Sequence, residues 1–219
     1  MSKLIAEFFG TFTLIFIGVG AIAADHASGG ALGLTGIALA HGLAIAVMVS
    51  ATAATSGGHL NPAVTCGALV AGKIRPGMAL SYIVAQCLGA VFAAFMVKLS
   101  VPSDWLTAVG MGTPALGQGV SVGQALVMEA VLTFFLMFVV YGTAVDARAP
   151  KVAGLFIGLT IAMGIMASGP VSGGAINPAR HFGPALMGGG MQNIWLYWVG
   201  PILGSVVAAL IYKNTIEGK

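Results

Sequence analysis

Polar residues in this chain are confined to short interruptions between long apolar runs. Six runs, at about 4–24, 33–54, 78–99, 122–144, 152–168 and 195–212, approach the roughly 20 residues that a helix needs to cross a ~30 Å hydrocarbon core. This pattern predicts an all-α membrane protein with six transmembrane helices. The first run, with Lys3 ahead of it and the small triplet Ala21, Ile22 and Ala23 near its end, has the outline of a secretory leader. Glu7 inside it, and the repeat described next, argue for a retained span.

Aligning residue 7 with residue 129 superposes Glu7, Thr11, Phe12, Leu14, Phe16 and Gly20 on Glu129, Thr133, Phe134, Leu136, Phe138 and Gly142. The segment Ser56-Gly57-Gly58-His59-Leu60-Asn61-Pro62-Ala63 returns as Ser172-Gly173-Gly174-Ala175-Ile176-Asn177-Pro178-Ala179. Tyr82, Val84, Leu88 and Gly89 return as Tyr197, Val199, Leu203 and Gly204. The chain therefore reads as one domain over 1–219, duplicated into halves of about 1–100 and 122–219. Each half has three spans, an odd number, so the second lies inverted relative to the first. Lys3, Lys73, Arg75, Arg148, Lys151, Lys213 and Lys219 fall on one side of this arrangement, leaving Lys98 on the other apart from Arg180. The basic side predicts cytoplasmic termini in a cell membrane, with the Gly- and Pro-containing loop of about 100–121 outside.

Composition narrows the function. Only 7% of the 219 residues are charged, against about 25% in soluble domains, and 58% are hydrophobic. The net charge of +3 is scattered, with no basic face for nucleic acid. Cys66 and Cys87 lie in apolar surroundings and read as packing residues. No spacing suggests a metal, a cofactor or a catalytic pair, so an enzyme is the weakest reading.

The two Asn-Pro-Ala segments each open a stretch too short to span. About nine residues from Ala63 cover ~13 Å, less than half the core. Asn is a good helix cap and proline suits a first turn, so Asn61-Pro62-Ala63 and Asn177-Pro178-Ala179 each start a re-entrant half-helix with its positive end near the midplane. Gly57-Gly58 and Gly173-Gly174 leave unwound backbone, which hydrocarbon cannot satisfy and which has to line a water-filled path or be buried in protein. Two positive dipole ends and two Asn amides at the centre suit a pore that bars cations. Glu7 and Glu129, equivalent in the repeat and costly inside a span, are expected to pin these loops by accepting backbone N–H bonds. Proton carriage is the alternative role.

These residues resemble the aquaporin (major intrinsic protein) family. The twin Asn-Pro-Ala motifs, the Glu-x-x-Gly-Thr-Phe of residues 7–12, the Ser-Gly-Gly-His of residues 56–59 and the Asn-Pro-Ala-Arg of residues 177–180 carry the match. The resemblance implies six spans plus two half-helices in a right-handed bundle, a water pore in every subunit and a homotetramer. Selectivity in such channels comes down to pore diameter, lining groups, an arginine and the half-helix dipoles. Spacing from the motifs carries the family's four constriction positions onto His41, Ile165, Gly174 and Arg180, and its pore-lining loop histidine onto His59. The set of His41, Ile165, Gly174 and Arg180 is similar to that of plant tonoplast intrinsic proteins and of animal aquaporins that pass ammonia. It is expected to be wider than a water-only constriction, with side-chain donors at His41 and Arg180.

Two positions depart from the family. His181 follows Arg180, where glycerol-conducting members carry Asp and ordinary water channels Ser; a place at the pore mouth and a plain surface position are both open to it. Pro114 stands where the plant ammonia-conducting members have a loop histidine. The leading expectation is a passive, proton-excluding water channel in lipid, with ammonia and hydrogen peroxide as further permeants. A glycerol facilitator and an inverted-repeat secondary transporter remain the alternatives.

Overall fold

Six helices long and apolar enough to cross a membrane dominate the computed structural model, which describes residues 1–149, 152–188 and 190–217. In chain order the described residues form α1 (Ser2–Ala27), α2 (Gly33–Ser56), α3 (Pro62–Val70), α4 (Pro76–Ser100), α5 (Ser103–Ala108), α6 (Val122–Val140), α7 (Ala153–Ser172), α8 (Pro178–Gly188) and α9 (Leu196–Thr215). A π-helical turn, Tyr141–Val145, prolongs α6. The spans run a few residues beyond the apolar runs at most ends, because helices continue into the polar interface. The protein is an all-α, multi-pass membrane protein.

The pairings repeat. α1 packs on α4 as α6 packs on α9, and α2 meets α7 where the two sets join. That central contact is a backbone approach: a Cβ on Gly42 would stand 2.6 Å from Gly158 O, and one on Gly158 would meet Gly42 O. Small residues at such contacts let dispersion act where hydrocarbon offers no hydrophobic drive between helices.

The half-helices α3 and α8 cross over. α3 packs mainly on α9 and α8 mainly on α4, each against the last span of the other set. Gly67 of α3 lies against Ser205, and Gly183 of α8 against Ala90. Their outer ends, where carbonyls lack partners and the dipole is negative, each receive a lysine from that same span. Lys213 Nζ donates to Ala71 O at 2.9 Å, and Lys98 Nζ donates to Met187 O at 3.3 Å. Lys98, set apart from the other basic residues in the sequence, is thus the repeat partner of Lys213 with the same task.

Arg148 and Lys73 tie the end that carries both termini; Lys151 and Lys219 lie outside the described residues. Asp146, just beyond α6, accepts from the Arg148 backbone N–H at 3.0 Å and Nε at 2.9 Å. It also forms an ion pair with Arg148 Nη2 and accepts from the Tyr212 hydroxyl at 3.3 Å. Arg148 Nη2 reaches Ile216 O at 2.9 Å, and Lys73 pairs with Glu217. The Arg148 side-chain hydrogen bonds, followed by its backbone N–H, hold the Asp146 carboxyl well below its ordinary 3.8.

Replacing Lys98 or Lys213 with Met should each lower stability by about 0.3–1 kcal/mol, the range of a cation at a helix C-terminus. Thermal melting in detergent checks this, and the double variant should show the sum. For Asp146 the depressed folded value means that its contribution is complete above the ordinary carboxylate range and is lost only as pH falls through the lower folded value. Amide protection in residues 212–217, corrected for intrinsic exchange, should therefore be flat between about pH 5 and 8 and should fall in Asp146→Asn across that window.

Candidate functional site

α2 and α7 both end in left-handed glycines, Gly57 at φ 90° and Gly173 at φ 78°. Gly58 and Gly174 follow at φ 62° and 59°. This region is open to glycine at no steric cost, and two such residues in succession turn the chain inward across the bundle. The next left-handed residues are not glycines: Leu60 has φ 50° and Ile176 has φ 57°. A β-branched residue there is strained and persists only where its surroundings over-determine it.

The surroundings are two buried carboxylates. Glu7 Oε1 accepts from Ser56 Oγ at 2.6 Å and the His59 N–H at 3.0 Å, while Oε2 accepts from the Leu60 N–H at 2.6 Å and Gln86 Nε2 at 2.7 Å. Glu129 Oε1 accepts from Ser172 Oγ at 2.7 Å and the Ala175 N–H at 2.9 Å, while Oε2 accepts from the Ile176 N–H at 2.7 Å. Tyr82 and Tyr197 donate to Ser56 O and Ser172 O at 2.8 and 2.9 Å. The carbonyls of the strained residues are also held: Asn177 Nδ2 donates to Leu60 O at 2.9 Å, and Asn61 Nδ2 to Ile176 O at 3.0 Å. Each asparagine also caps its half-helix, Oδ1 accepting from the Ala63 N–H at 2.8 Å and from the Ala179 N–H at 3.0 Å. Pro62 and Pro178 occupy the first helical position in each case. The two half-helices thus begin next to each other inside the bundle, tied amide to carbonyl.

Toward the side opposite the termini lies a cavity of about 270 Å³ whose wall includes Ile22, His41, Pro114, Ile165, Gly173 and Arg180. Arg180 is 3% exposed and donates from Nη1 to Gly112 O at 2.8 Å. Gly112 belongs to the loop after α4, so that connection folds inward and builds part of the wall. Gly174 faces away into Ser168 and Ile165, where a Cβ would stand 2.7 and 3.2 Å from Ser168 Oγ and Ile165 Cα.

His41 needs a correction. Its Nδ1 lies 2.8 Å from Ile37 O, and a carbonyl can only accept, so the proton sits on Nδ1. Nε2, buried and without a protein partner, is therefore an acceptor and not the donor expected from the sequence. His59 has the same tautomer for another reason. Thr65 Oγ1 gives its hydrogen to Asn61 O at 3.0 Å, so it accepts from Gln86 Nε2 and from His59 Nδ1, both at 3.1 Å.

His181 is fully buried, its ring stacked on Tyr197 with centroids 4.1 Å apart. This removes the surface position. The repeat explains the burial: His181 stands where Thr65 stands in the first half, four residues after the asparagine.

Sequence reasoning missed Gln86, Thr65, Leu60, Ile176 and Gly112. Gln86, a lone amide within an apolar run, carried the same signal that drew notice to Glu7. It has no counterpart in the second half, where its place is taken by Pro201.

The family model described as Major intrinsic protein matches residues 1–212. Aquaporin TIP4-4 of Zea mays is 44% identical over 96% of this chain and 84% of its own length. Aquaporin TIP2-3 of Arabidopsis thaliana is 42% identical over 98% of this chain and 87% of its own. Among solved structures, the aquaglyceroporin from Plasmodium falciparum superposes with a TM-score of 0.85 at 28% identity, covering 98% of this chain and 96% of that one.

Replacing Glu7 or Glu129 with Gln puts an NH₂ group opposite backbone N–H groups that need an acceptor. Each change should lower stability by about 1–3 kcal/mol. Denaturation of the purified variants checks this, and unaltered stability would remove the carboxylates' loop-pinning role.

Proposed function

Since the chain belongs to the major intrinsic protein family, whose members are passive transmembrane channels and not enzymes, we propose that it conducts water in single file and excludes protons, with ammonia and hydrogen peroxide as further permeants. The observation that carries this reading is the junction of the two half-helices. Asn61 and Asn177 each commit one amide hydrogen to the opposite loop, which leaves the second for a permeant. A water there accepts from both sides and turns its own hydrogens away from the centre, so no continuous donor chain crosses it. The positive ends of α3 and α8 raise a barrier to cations at the same point.

The outer constriction in this reading is formed by His41, Ile165, Gly174 and Arg180. Arg180 supplies donors and a fixed positive charge, and the His41 ring, its Nε2 buried against Gly18, bounds the space. Water, ammonia and hydrogen peroxide all donate and accept hydrogen bonds, whereas ammonium is repelled by Arg180. Ile22, Leu34, Ile37, Val109 and Ile165 make much of the rest of the wall aliphatic. His59, held by Thr65, offers a lone pair toward the terminal side. The one-sided basic residues favour cytoplasmic termini in a cell membrane, and in this reading the chain is one pore domain of a homotetramer.

The likeness to an aquaglyceroporin keeps glycerol passage as the second reading. Against it, no aromatic ring other than the His41 imidazole stands among the residues of the outer cavity.

Stopped-flow measurements on proteoliposomes test both. Osmotic shrinkage should be fast with a low activation energy, entry of ammonia should alkalinise the lumen, and glycerol uptake should stay at the lipid background. Fast glycerol uptake favours the second reading; saturable, ion-coupled uptake without fast shrinkage sinks the channel. Ile165→His should suppress ammonia more than water, and Arg180→Ala should admit larger solutes or protons.

A further inference from the structure

The His41 ring fits where it does because α1 gives way beside it. A Cβ on Gly18 would fall within 3.0 Å of Nε2, Cδ2 and Cε1 of His41, so the leading edge of the imidazole fills the space a side chain would take. Gly18 is buried on α1, one turn before Ile22 of the cavity wall. On its other edge the ring is pinned by the bond from Nδ1 to Ile37 O. The free space beside a ring so held is the cavity that it shares with Ile165 and Arg180.

We propose that Gly18 is a specificity-determining position: the notch it leaves in α1 seats the imidazole and holds it back from Arg180, which sets the width open to a permeant. The proposal rests on the reading of His41, Ile165 and Arg180 as the constriction. Gly18 acts through His41 and is a positioning residue. Interiors packed to crystal density do not absorb an added methyl group; they displace what it meets. Here the displaced group is the ring, the direction is the lumen, and wider permeants suffer before water. The notch also explains how a histidine can stand on α2 without closing the pore.

The test compares the unaltered chain with Gly18→Ala, His41→Ala and the double variant in proteoliposomes, reading water by shrinkage and hydrogen peroxide by an entrapped dye. In Gly18→Ala, peroxide permeability should fall about tenfold and water less, as expected for overpacking that raises a barrier. The double variant should return to the values of His41→Ala. Unchanged permeability in Gly18→Ala, or an equal loss with and without the His41 ring, overturns the notch while leaving the constriction standing. A His41→Ala variant with an unaltered ratio of peroxide to water overturns the constriction and the proposal with it. If Gly18→Ala does not fold, a folded, conducting double variant supports the clash with His41, and a misfolded one refutes it.

Discussion

Backbone that leaves the helix inside a membrane has to find its hydrogen bonds in the protein, because hydrocarbon offers none. Two glutamates answer that requirement here. Each spreads one carboxylate over the amides of a loop that turns inward, and each is buried only because those donors compensate the loss of water. Everything between them follows. The clamped loops hold Leu60 and Ile176 in a left-handed conformation, their carbonyls are aimed at the opposite asparagines, and the asparagines fix where α3 and α8 begin. A proton-carrying carboxylate needs access to water; these two are fully buried and committed to loop amides.

The halves share a frame but differ in what they add to it. In the first, Gln86 and Thr65 join the carboxylate to His59 and set its tautomer. In the second, Pro201 and His181 replace them, and the space becomes an aromatic stack on Tyr197. Duplication supplied one clamp twice, and divergence made a polar wall on one side and a closely filled support behind Arg180 on the other. Despite this asymmetry, both His41 and His59 carry their proton on Nδ1, with the His41 Nε2 lone pair buried against Gly18.

How far the sequence could be read depended on whether a residue's role was local. Spans, half-helix starts and the task of Glu7 and Glu129 were legible because length, Asn-Pro capping and a charge in an apolar run are local signals, and the repeat doubled each one. The His41 tautomer was not legible, since it is decided by the carbonyl of Ile37 one turn away and by ring orientation. The loop after α4 read as a connector, although Gly112 O takes up the Arg180 guanidinium; nothing near residue 112 announces a partner 68 positions distant. His181 read as open to solvent or pore because its burial depends on α9, which the repeat alignment places beside it only when Thr65 is matched to it.

The exchange of half-helices between the two sets has a consequence for how the chain is made. α3 leaves the ribosome early, yet the surface it rests on, α9, emerges only after α6, α7 and α8, and the amide of Asn61 closes on Ile176 of the second set. Until α9 has emerged the first re-entrant segment lacks its main packing surface, and neither half presents a finished interior by itself. Insertion of the early spans into the bilayer and maturation of the interior are therefore separate events, the second waiting for α9. A nascent chain that has made only its third span holds one half-helix start without the asparagine and carbonyl that meet it in the finished protein.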